Sequence, residues 1–319
     1  MRPSIVKSEN CVLDLPLRLA LYDSKKTGMQ FVHNMKKIAL FALLISVVLA
    51  VGGCTKRQAA EVATITVSIL PQKYFLEKIT GDKFNVTCML SKGSSPENYD
   101  PAMSSMMLLE KSTAYFFMGN LGFESAIKGK IKQFNPTIRM FDTSDGLDFF
   151  VDEGHAHHGH PEVDPHVWTS VPNVRVIVRN MYDAVVALDP KNEAYYKENY
   201  LRFDKELVGL HEQFAAQLDS LQGSAFVVWH PALSYFARDY GLEQISMEYN
   251  GKEAPIKHLE ERVSYAKKRG ARVFLYQKET GTSQVETINK QLGTKLVEIN
   301  PLGYNWEKEM RHIADALTK

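Results

Sequence analysis

Four side chains that can bind a metal ion stand near the ends of predicted strands or, in one case, just after a histidine-rich loop. In chain order they are Glu97, His166, His230 and Glu279. In open parallel sheets, ligands bind beyond the carboxyl ends of the strands, so residues from different strand ends can meet at one ion. Imidazole and carboxylate together suit Zn²⁺, Mn²⁺ or Fe²⁺, and imidazole shifts the preference toward Zn²⁺. With two candidates in each half, the sequence predicts a metal ion between two lobes.

A second group of imidazoles lies within residues 152–164. They are His155, His157, His158 and His160. Glycine and acidic residues surround them, which is the composition of a low-complexity metal-binding loop. At pH 7 most of these rings should be neutral and able to bind metal, and acidification would protonate them. A solvated flexible loop with incidental histidines is the alternative interpretation.

Strands and helices alternate in the two regions that carry these residues. Residues 62–190 and 223–319 each show the βα rhythm of a parallel sheet covered by helices. Between them, residues 191–222 predict one long helix of roughly 45 Å at 1.5 Å per residue. The predicted fold class is α/β, with two lobes, each a parallel βα sheet sandwiched by helices, joined by a long rigid linking helix. Two helices of one bundle would explain the same long segment.

A short basic segment, an apolar run and a cysteine follow one another near the N-terminus. Met35 and two lysines precede the uncharged run 38–51, which is too short to span a bilayer comfortably. Small residues then lead to Cys54. The layout predicts a signal peptide over 35–53, and it resembles a bacterial lipobox, in which the cysteine becomes lipidated. A buried core helix with a free cysteine is the alternative.

The segments on either side of this signal carry no predicted function. Residues 1–34 contain prolines and acidic residues, which do not fit a signal peptide. We predict that they are a non-native N-terminal extension, and a disordered cytoplasmic extension is the alternative. Residues 54–61 are short and polar, which predicts a tether between the anchor and the fold.

Composition and motifs exclude several classes of function. The formal net charge is +1, and no basic stripe stands out, so a nucleic-acid partner is not expected. The sequence contains no H-E-x-x-H, G-x-S-x-G or P-loop pattern. The chain is therefore predicted not to be an enzyme.

Four ordered segments resemble those of the metal-binding solute-binding proteins of ABC importers, in the zinc-uptake branch. They are 164–168 (DPHVW), 188–190 (LDP) with the tyrosines 195 and 196, 230–242 (HPALSYFARDYGL) and 300–303 (NPLG). The resemblance runs from about residue 62 to residue 319 and is specific, because the four segments match in order and spacing.

The resemblance implies that His166 and His230 are metal ligands. It also places a third histidine in a loop with the pattern P-H-D-Y-E-P, but residues 96–101 read PENYDP here, so Glu97 stands at that position. A carboxylate can bind zinc, and the change also moves the site toward the mixed ligand sets used for Mn²⁺.

The family's fourth ligand position remains open in this sequence. Glu279 is the preferred candidate on chemical grounds, Gln277 and Glu248 are alternatives, and a water molecule could also fill the position.

The function implied is that of an extracytoplasmic solute-binding protein. It would capture Zn²⁺, or Mn²⁺ as the alternative, and deliver the ion to an ABC permease, with the His-rich loop as an auxiliary capture site. A lipid on Cys54 would hold the protein at the membrane, and a monomer is expected. A surface adhesin of the same fold and a zinc hydrolase with Glu97 as its base are weaker alternatives.

Overall fold

The computed structural model describes the chain from residue 62 to residue 319, with short gaps. The described residues are 35, 62–91, 93–97, 99–157, 160–248, 254–277 and 282–319, with the backbone alone over 151–162 and at 282. Contacts group residues 62–319 into one unit and residues 1–61 into another. The predicted extension, signal peptide, Cys54 and tether lie outside the described residues, apart from Met35. Among the described helices, none is both long and apolar enough to cross a membrane.

The first part of the larger unit builds a four-stranded parallel sheet. Its strands are β1 (Thr64–Val67), β2 (Asn85–Cys88), β3 (Ser112–Phe117) and β4 (Arg139–Asp142), in the spatial order β2-β1-β3-β4. Val67, at the end of β1, pairs with Cys88 on one side and with Phe116 on the other. The carboxyl ends of these strands therefore share one edge, from which loops project.

The His-rich segment differs from the prediction. Its backbone forms an antiparallel pair of strands, β5 (Val151–His157) and β6 (His160–Val163), in which residue 151 pairs with residue 163 and residue 157 with residue 160. The prediction of a loop over 152–164 is therefore wrong for the backbone. Low-complexity composition indicates a solvated segment, but it does not forbid two short strands from pairing with each other.

The second sheet repeats the topology of the first. Its strands are β7 (Ala225–Val228), β8 (Glu243–Ser246), β9 (Val273–Gln277) and β10 (Lys295–Ile299), all parallel, in the order β8-β7-β9-β10. In each sheet the second strand in chain order forms one edge, next to the first strand. The third and fourth strands follow on the opposite side of the first strand. We call the regions around the two sheets the N-terminal and C-terminal lobes. The predicted α/β class with two parallel sheets is confirmed.

Helices surround both sheets. They are α1 (Leu70–Thr80), α2 (Met103–Met107), α3 (Gly122–Lys128), α4 (Ile131–Phe134), α5 (Val171–Leu188), α6 (Glu193–Leu218), α7 (Ser234–Asp239), α8 (Ile256–Lys268), α9 (Thr282–Leu292) and α10 (Trp306–Thr318). Helix α6 has 26 residues, which corresponds to about 39 Å. It is the predicted long helix, and it buries Phe203, Leu210 and Phe214 along one face.

One local prediction about the N-terminal lobe differs from the structure, and two of its short helices are not predicted. The sequence suggests that Pro71 stops the first strand and precedes a helix that begins at residue 74, but Pro71 lies in the first turn of α1. A proline is tolerated there because the first amides of a helix have no intrahelical partner. The helices α3 and α4 are not predicted at all, since seven and four residues are too few to show a helical period.

One hydrophobic core extends across both lobes. It includes Ile65 of β1, Phe203 of α6, Val228 of β7 and Met310 of α10. A smaller second core covers the other face of the C-terminal sheet, around Phe274. Since the large core belongs to both lobes, moving the lobes far apart would expose apolar surface to water, which is unfavourable.

Two tryptophans join the lobes by hydrogen bonds as well as by packing. The indole nitrogen of Trp168 donates to the carbonyl of Pro301 (3.0 Å), and the indole nitrogen of Trp306 donates to the carbonyl of Trp168 (2.7 Å). Both side chains are almost fully buried. The chain just before α5 is therefore fixed to the chain just before α10.

The shared core predicts that residues 62–319 unfold in one cooperative transition. Urea unfolding of Trp229→Phe, in which the remaining indoles are Trp168 and Trp306, should give the same midpoint by fluorescence as by far-ultraviolet circular dichroism. Adding Trp306→Phe removes one buried hydrogen bond and should lower the free energy of unfolding by about 1–2 kcal/mol, with both probes shifting together. Two separate transitions would contradict the shared core.

Candidate metal site

Three of the predicted ligands meet between the two sheets. Glu97, His166 and His230 each offer one ligand atom, and these atoms all lie within 4.8 Å of one another. The two Nε2 atoms of the histidines are 3.1 Å apart, and Glu97 Oε1 lies 3.1 Å from Nε2 of His230 and 3.8 Å from Nε2 of His166. Metal–ligand bonds of about 2 Å require separations of this order between ligand atoms.

Glu97 is carried by the loop that follows β2. Its neighbour Pro96 accepts a hydrogen bond from the backbone nitrogen of Phe123 (3.4 Å), and its own amide contacts the hydroxyl of Ser95 (3.3 Å). Tyr99 secures the far side of the loop, because its hydroxyl donates to the carbonyl of Met89 (3.2 Å). The loop thus rests on the N-terminal lobe.

His166 precedes a short 3₁₀ turn (Val167–Thr169) and is almost fully buried. Asp164 contacts both the ring Nδ1 (2.8 Å) and the backbone nitrogen (2.9 Å) of His166. This contact turns Nε2 toward Glu97 and His230. The carbonyl of Asp164 accepts a hydrogen bond from the hydroxyl of Tyr235 (2.7 Å), in the C-terminal lobe. His166 therefore depends on the C-terminal lobe for its position, although it precedes the long helix in the chain.

His230 lies two residues beyond the end of β7, close to the strand end where the sequence predicts it. Its Nδ1 lies 2.5 Å from Oε2 of Glu248, which follows β8. The backbone of Glu248 is fixed in turn, because its amide donates to the carbonyl of Trp229 (3.0 Å). Glu248 thus faces the ring nitrogen of His230 that points away from the three-residue cluster.

The sequence does not predict that Asp164 and Glu248 contact the outer ring nitrogens of the two histidines. Asp164 appears in the sequence only as part of a motif, and Glu248 only as a weak candidate for the fourth ligand. A metal-binding histidine commonly donates its other ring nitrogen to a carboxylate, which fixes the ring and raises its basicity. A search for an acidic residue two positions from a candidate histidine could have found Asp164, but nothing local to His230 indicates Glu248.

Hydrogen bonds and charges in the cluster shift three pKa values. Burial lowers the pKa of His230, but hydrogen bonds to Glu248 and Glu97 outweigh it and raise the pKa to about 10. Burial raises the pKa of Glu97, but the hydrogen bond to His230 and the charges of both histidines lower it overall. The pKa of Asp164 is lowered in the same way by His166 against its burial. In the absence of metal, the carboxylates of Glu248 and Glu97 favour the protonated form of His230.

Not every predicted site residue can be placed. Glu279, Cys54 and His158 lie outside the described residues, and only the backbone is described for His155, His157 and His160. Gln277 ends β9, and its side-chain oxygen is buried without a hydrogen-bond partner among the described residues. Residue 275 of β9 pairs with residue 228 of β7, so Gln277 lies near the strand end that carries His230.

Comparison with known proteins places this geometry in a family. The family model for the periplasmic component A of the zinc-uptake complex, ZnuA, matches residues 65–319. The chain belongs to the ZnuA family. The resemblance noted in the sequence is thereby confirmed, and the match includes all three residues of the cluster.

Several members of the wider group are similar over most of this chain. Zinc-binding lipoprotein AdcA of Streptococcus pneumoniae serotype 4 is 25% identical over 279 residues, a match that covers 84% of this chain and 56% of AdcA. The chain thus spans little more than half the length of AdcA. A crystal structure of a ZnuA deletion mutant with zinc bound is 30% identical and covers 81% of this chain and 99% of that one, with a TM-score of 0.74.

A manganese-bound protein has the same fold. FpvC from Pseudomonas aeruginosa, in complex with Mn²⁺, is 22% identical, covers 81% of this chain and 98% of its own, and has a TM-score of 0.71. At this identity the similarity establishes the shared fold alone. The fold alone therefore does not identify the metal, and the choice between Zn²⁺ and Mn²⁺ depends on the types of side chain in the cluster.

The raised pKa of His230 predicts that zinc binding releases a proton. At pH 7 the metal-free ring is charged, because its pKa is about 10, and zinc needs the lone pair of Nε2. Between pH 6 and 7.5, zinc affinity should therefore rise by up to about tenfold per pH unit. Calorimetry in buffers of different ionisation enthalpy should show release of about one proton.

Glu248→Gln provides the control for this measurement. It removes one of the two carboxylates that raise the pKa of His230, so the pH above which zinc binding no longer releases a proton should be lower. Heats that do not depend on the buffer in the unaltered protein would contradict the assignment of a charged His230.

Proposed function

We propose that this protein captures Zn²⁺ outside the cytoplasm, at Glu97, His166 and His230, and delivers it to an ABC importer. The observation that carries the proposal is the convergence of two imidazole nitrogens and one carboxylate oxygen within 4.8 Å. The carboxylates that contact the outer ring nitrogens of both histidines support it further.

The ligand set favours zinc over manganese. Two of the three ligands are imidazoles, which suit Zn²⁺, whereas Mn²⁺ prefers sites richer in carboxylate and water. The similarity to AdcA and to zinc-bound ZnuA supports the same choice. Mn²⁺ remains the alternative cargo, because Glu97 replaces an imidazole expected at this position and because a fold of this type binds Mn²⁺ in FpvC.

Capture rather than catalysis is the role that the geometry supports. Glu97 lies 3.1 Å from Nε2 of His230, so its carboxylate and the imidazole can bind the same ion. This position suits a metal ligand better than a general base that acts on a metal-bound water. The family consists of zinc-uptake components, which function through binding and release. The expected fourth ligand is Glu279, with Gln277 or a water molecule as alternatives.

An importer permease and a membrane are the proposed partners. A component of an uptake complex must transfer its ion to a membrane protein, and the signal-peptide layout before Cys54 predicts a lipid at that residue. One acyl chain anchors only weakly, so stable attachment requires more than one. The His-rich segment is proposed as an auxiliary zinc-capture site in addition to the main one, and the protein is proposed to act as a monomer.

Calorimetry on metal-stripped protein tests the main site. One Zn²⁺ should bind tightly, and Mn²⁺ at least about tenfold more weakly. Glu97→Ala, His166→Ala and His230→Ala should each lower zinc affinity about 100-fold or more, because each removes a ligand. His312→Ala is the matched control, since that ring contacts the backbone carbonyl of Glu298 and not the cluster.

A further variant separates the main site from the His-rich segment. Replacement of its four histidines by alanine should leave the tight site intact and remove only weaker additional binding. Tighter binding of Mn²⁺ than of Zn²⁺ would overturn the choice of metal. Unchanged affinity in all three ligand variants would overturn the site.

The anchor prediction is tested in cells that process lipoproteins. The full chain should be labelled by radioactive palmitate and should sediment with membranes. Cys54→Ser should abolish both properties while leaving zinc binding by the purified protein unchanged, because the site lies in residues 97–230. Membrane association that persists in Cys54→Ser would contradict the predicted lipid.

A further inference from the structure

A buried carboxylate lies at the edge of the N-terminal sheet, outside the metal cluster. Glu124 of α3 is only 3% exposed. Its side chain accepts hydrogen bonds from the backbone nitrogens of Met118 (2.7 Å), Gly119 (2.9 Å) and Leu121 (3.4 Å), and from the hydroxyl of Ser68. Burial raises the pKa of Glu124 to about 7 despite these four hydrogen bonds. A buried carboxyl is unfavourable for stability, so its presence calls for a role.

These hydrogen bonds fix the turn that follows β3. Two consecutive residues in this turn adopt left-handed backbone conformations, Gly119 with φ 90° and Asn120 with φ 61°. A non-glycine residue with positive φ needs support from its surroundings. The carboxylate of Glu124 supplies it, because it binds the amides on both sides of Asn120.

The start of α3, which follows this turn directly, supports the backbone of Glu97. A Cβ atom added at Gly122 would lie 2.5 Å from the carbonyl oxygen and 3.3 Å from the Cα of Glu97, so the two chains are in close contact. The amide of Phe123 also donates to the carbonyl of Pro96 (3.4 Å). The segment with Glu97 is therefore packed directly against the first residues of α3, which follow the turn that Glu124 holds.

The two histidines rely on other contacts. His166 is held by Asp164 and Tyr235, and His230 by Glu248, all described above. Glu97 is thus the ligand that depends on the turn between β3 and α3. A shift of this turn should move Glu97 relative to the two rings while leaving the rings in place.

We propose that Glu124 is a positioning residue for Glu97. By binding the amides of the turn 118–121, it fixes the position of the start of α3, against which the backbone of Glu97 packs. It thereby sets the distance from the Glu97 carboxylate to the metal ion. The inference rests on the proposed function of the cluster and adds a residue that acts only through Glu97.

Glu124→Gln tests the role directly. The amide has the same size, but its NH₂ group cannot accept from the backbone amides that the carboxylate now binds. Zinc affinity should fall about 10-fold to 100-fold, the range seen when residues that orient metal ligands are replaced. With Co²⁺ as a spectroscopic probe, the visible absorption of Glu124→Gln should change toward that of Glu97→Ala, because the same ligand is displaced.

Gly122→Ala provides a second test that leaves Glu124 unchanged. The added methyl group would press on the carbonyl of Glu97 and should produce the same change in affinity and in the Co²⁺ spectrum. Gly129→Ala is the matched control, because a Cβ there meets nothing within 4 Å and its φ is −73°. It should bind Zn²⁺ and Co²⁺ as the unaltered protein does.

A double variant separates positioning from a general loss of structure. In Glu97→Ala/Glu124→Gln, zinc affinity should equal that of Glu97→Ala alone, because Glu124 acts through Glu97. If the double variant lost zinc affinity by the product of the two single losses, the proposal would be overturned. So would unchanged affinity and spectra in both Glu124→Gln and Gly122→Ala. If Glu97→Ala itself bound zinc normally, the proposed function would fail at that ligand, which is a distinct result.

Discussion

Two imidazole nitrogens held 3.1 Å apart in a buried site are the constraint on which the rest of this structure depends. Two bare lone pairs at this distance repel, so the pair is stable only with a proton or a cation between them. The carboxylates of Asp164 and Glu248 bind the outer nitrogens and leave the two Nε2 atoms facing each other. With Glu97 beside them, the metal-free cluster favours positive charge, in agreement with the raised pKa of His230.

The fold satisfies this constraint by bringing two strand edges together. Loops after β2 and β7 carry Glu97 and His230, and the turn before α5 carries His166 between them. The indole of Trp168, two residues beyond His166, is bonded to the C-terminal lobe. Two of the proposed ligands, His166 and His230, are thus held by contacts to the C-terminal lobe and Glu97 by the N-terminal lobe, while the continuous core keeps the lobes in contact.

Much of this arrangement can be predicted from the sequence, because parallel strands place their carboxyl ends along one edge. The positions of Glu97 and His230 after apolar strands suggest that the two residues meet, and the family resemblance adds the expectation that the histidines are ligands. Partners that come from distant strands, such as Glu248 with His230, depend on the order of strands in the sheet, which local patterns do not specify. Short elements such as α3 are set by tertiary contacts, here the buried Glu124, and not by periodicity.

The core that extends across both lobes has a consequence for unloading the ion. Swinging the lobes apart would solvate Trp168 and Trp306 and break the hydrogen bonds that join them, so thermal motion alone seldom opens the site by that route. From the proposed site, zinc should then leave more readily by displacement of a single ligand than by separation of whole lobes. Glu97, which is more exposed than either histidine, is the point at which a docking protein could begin that exchange.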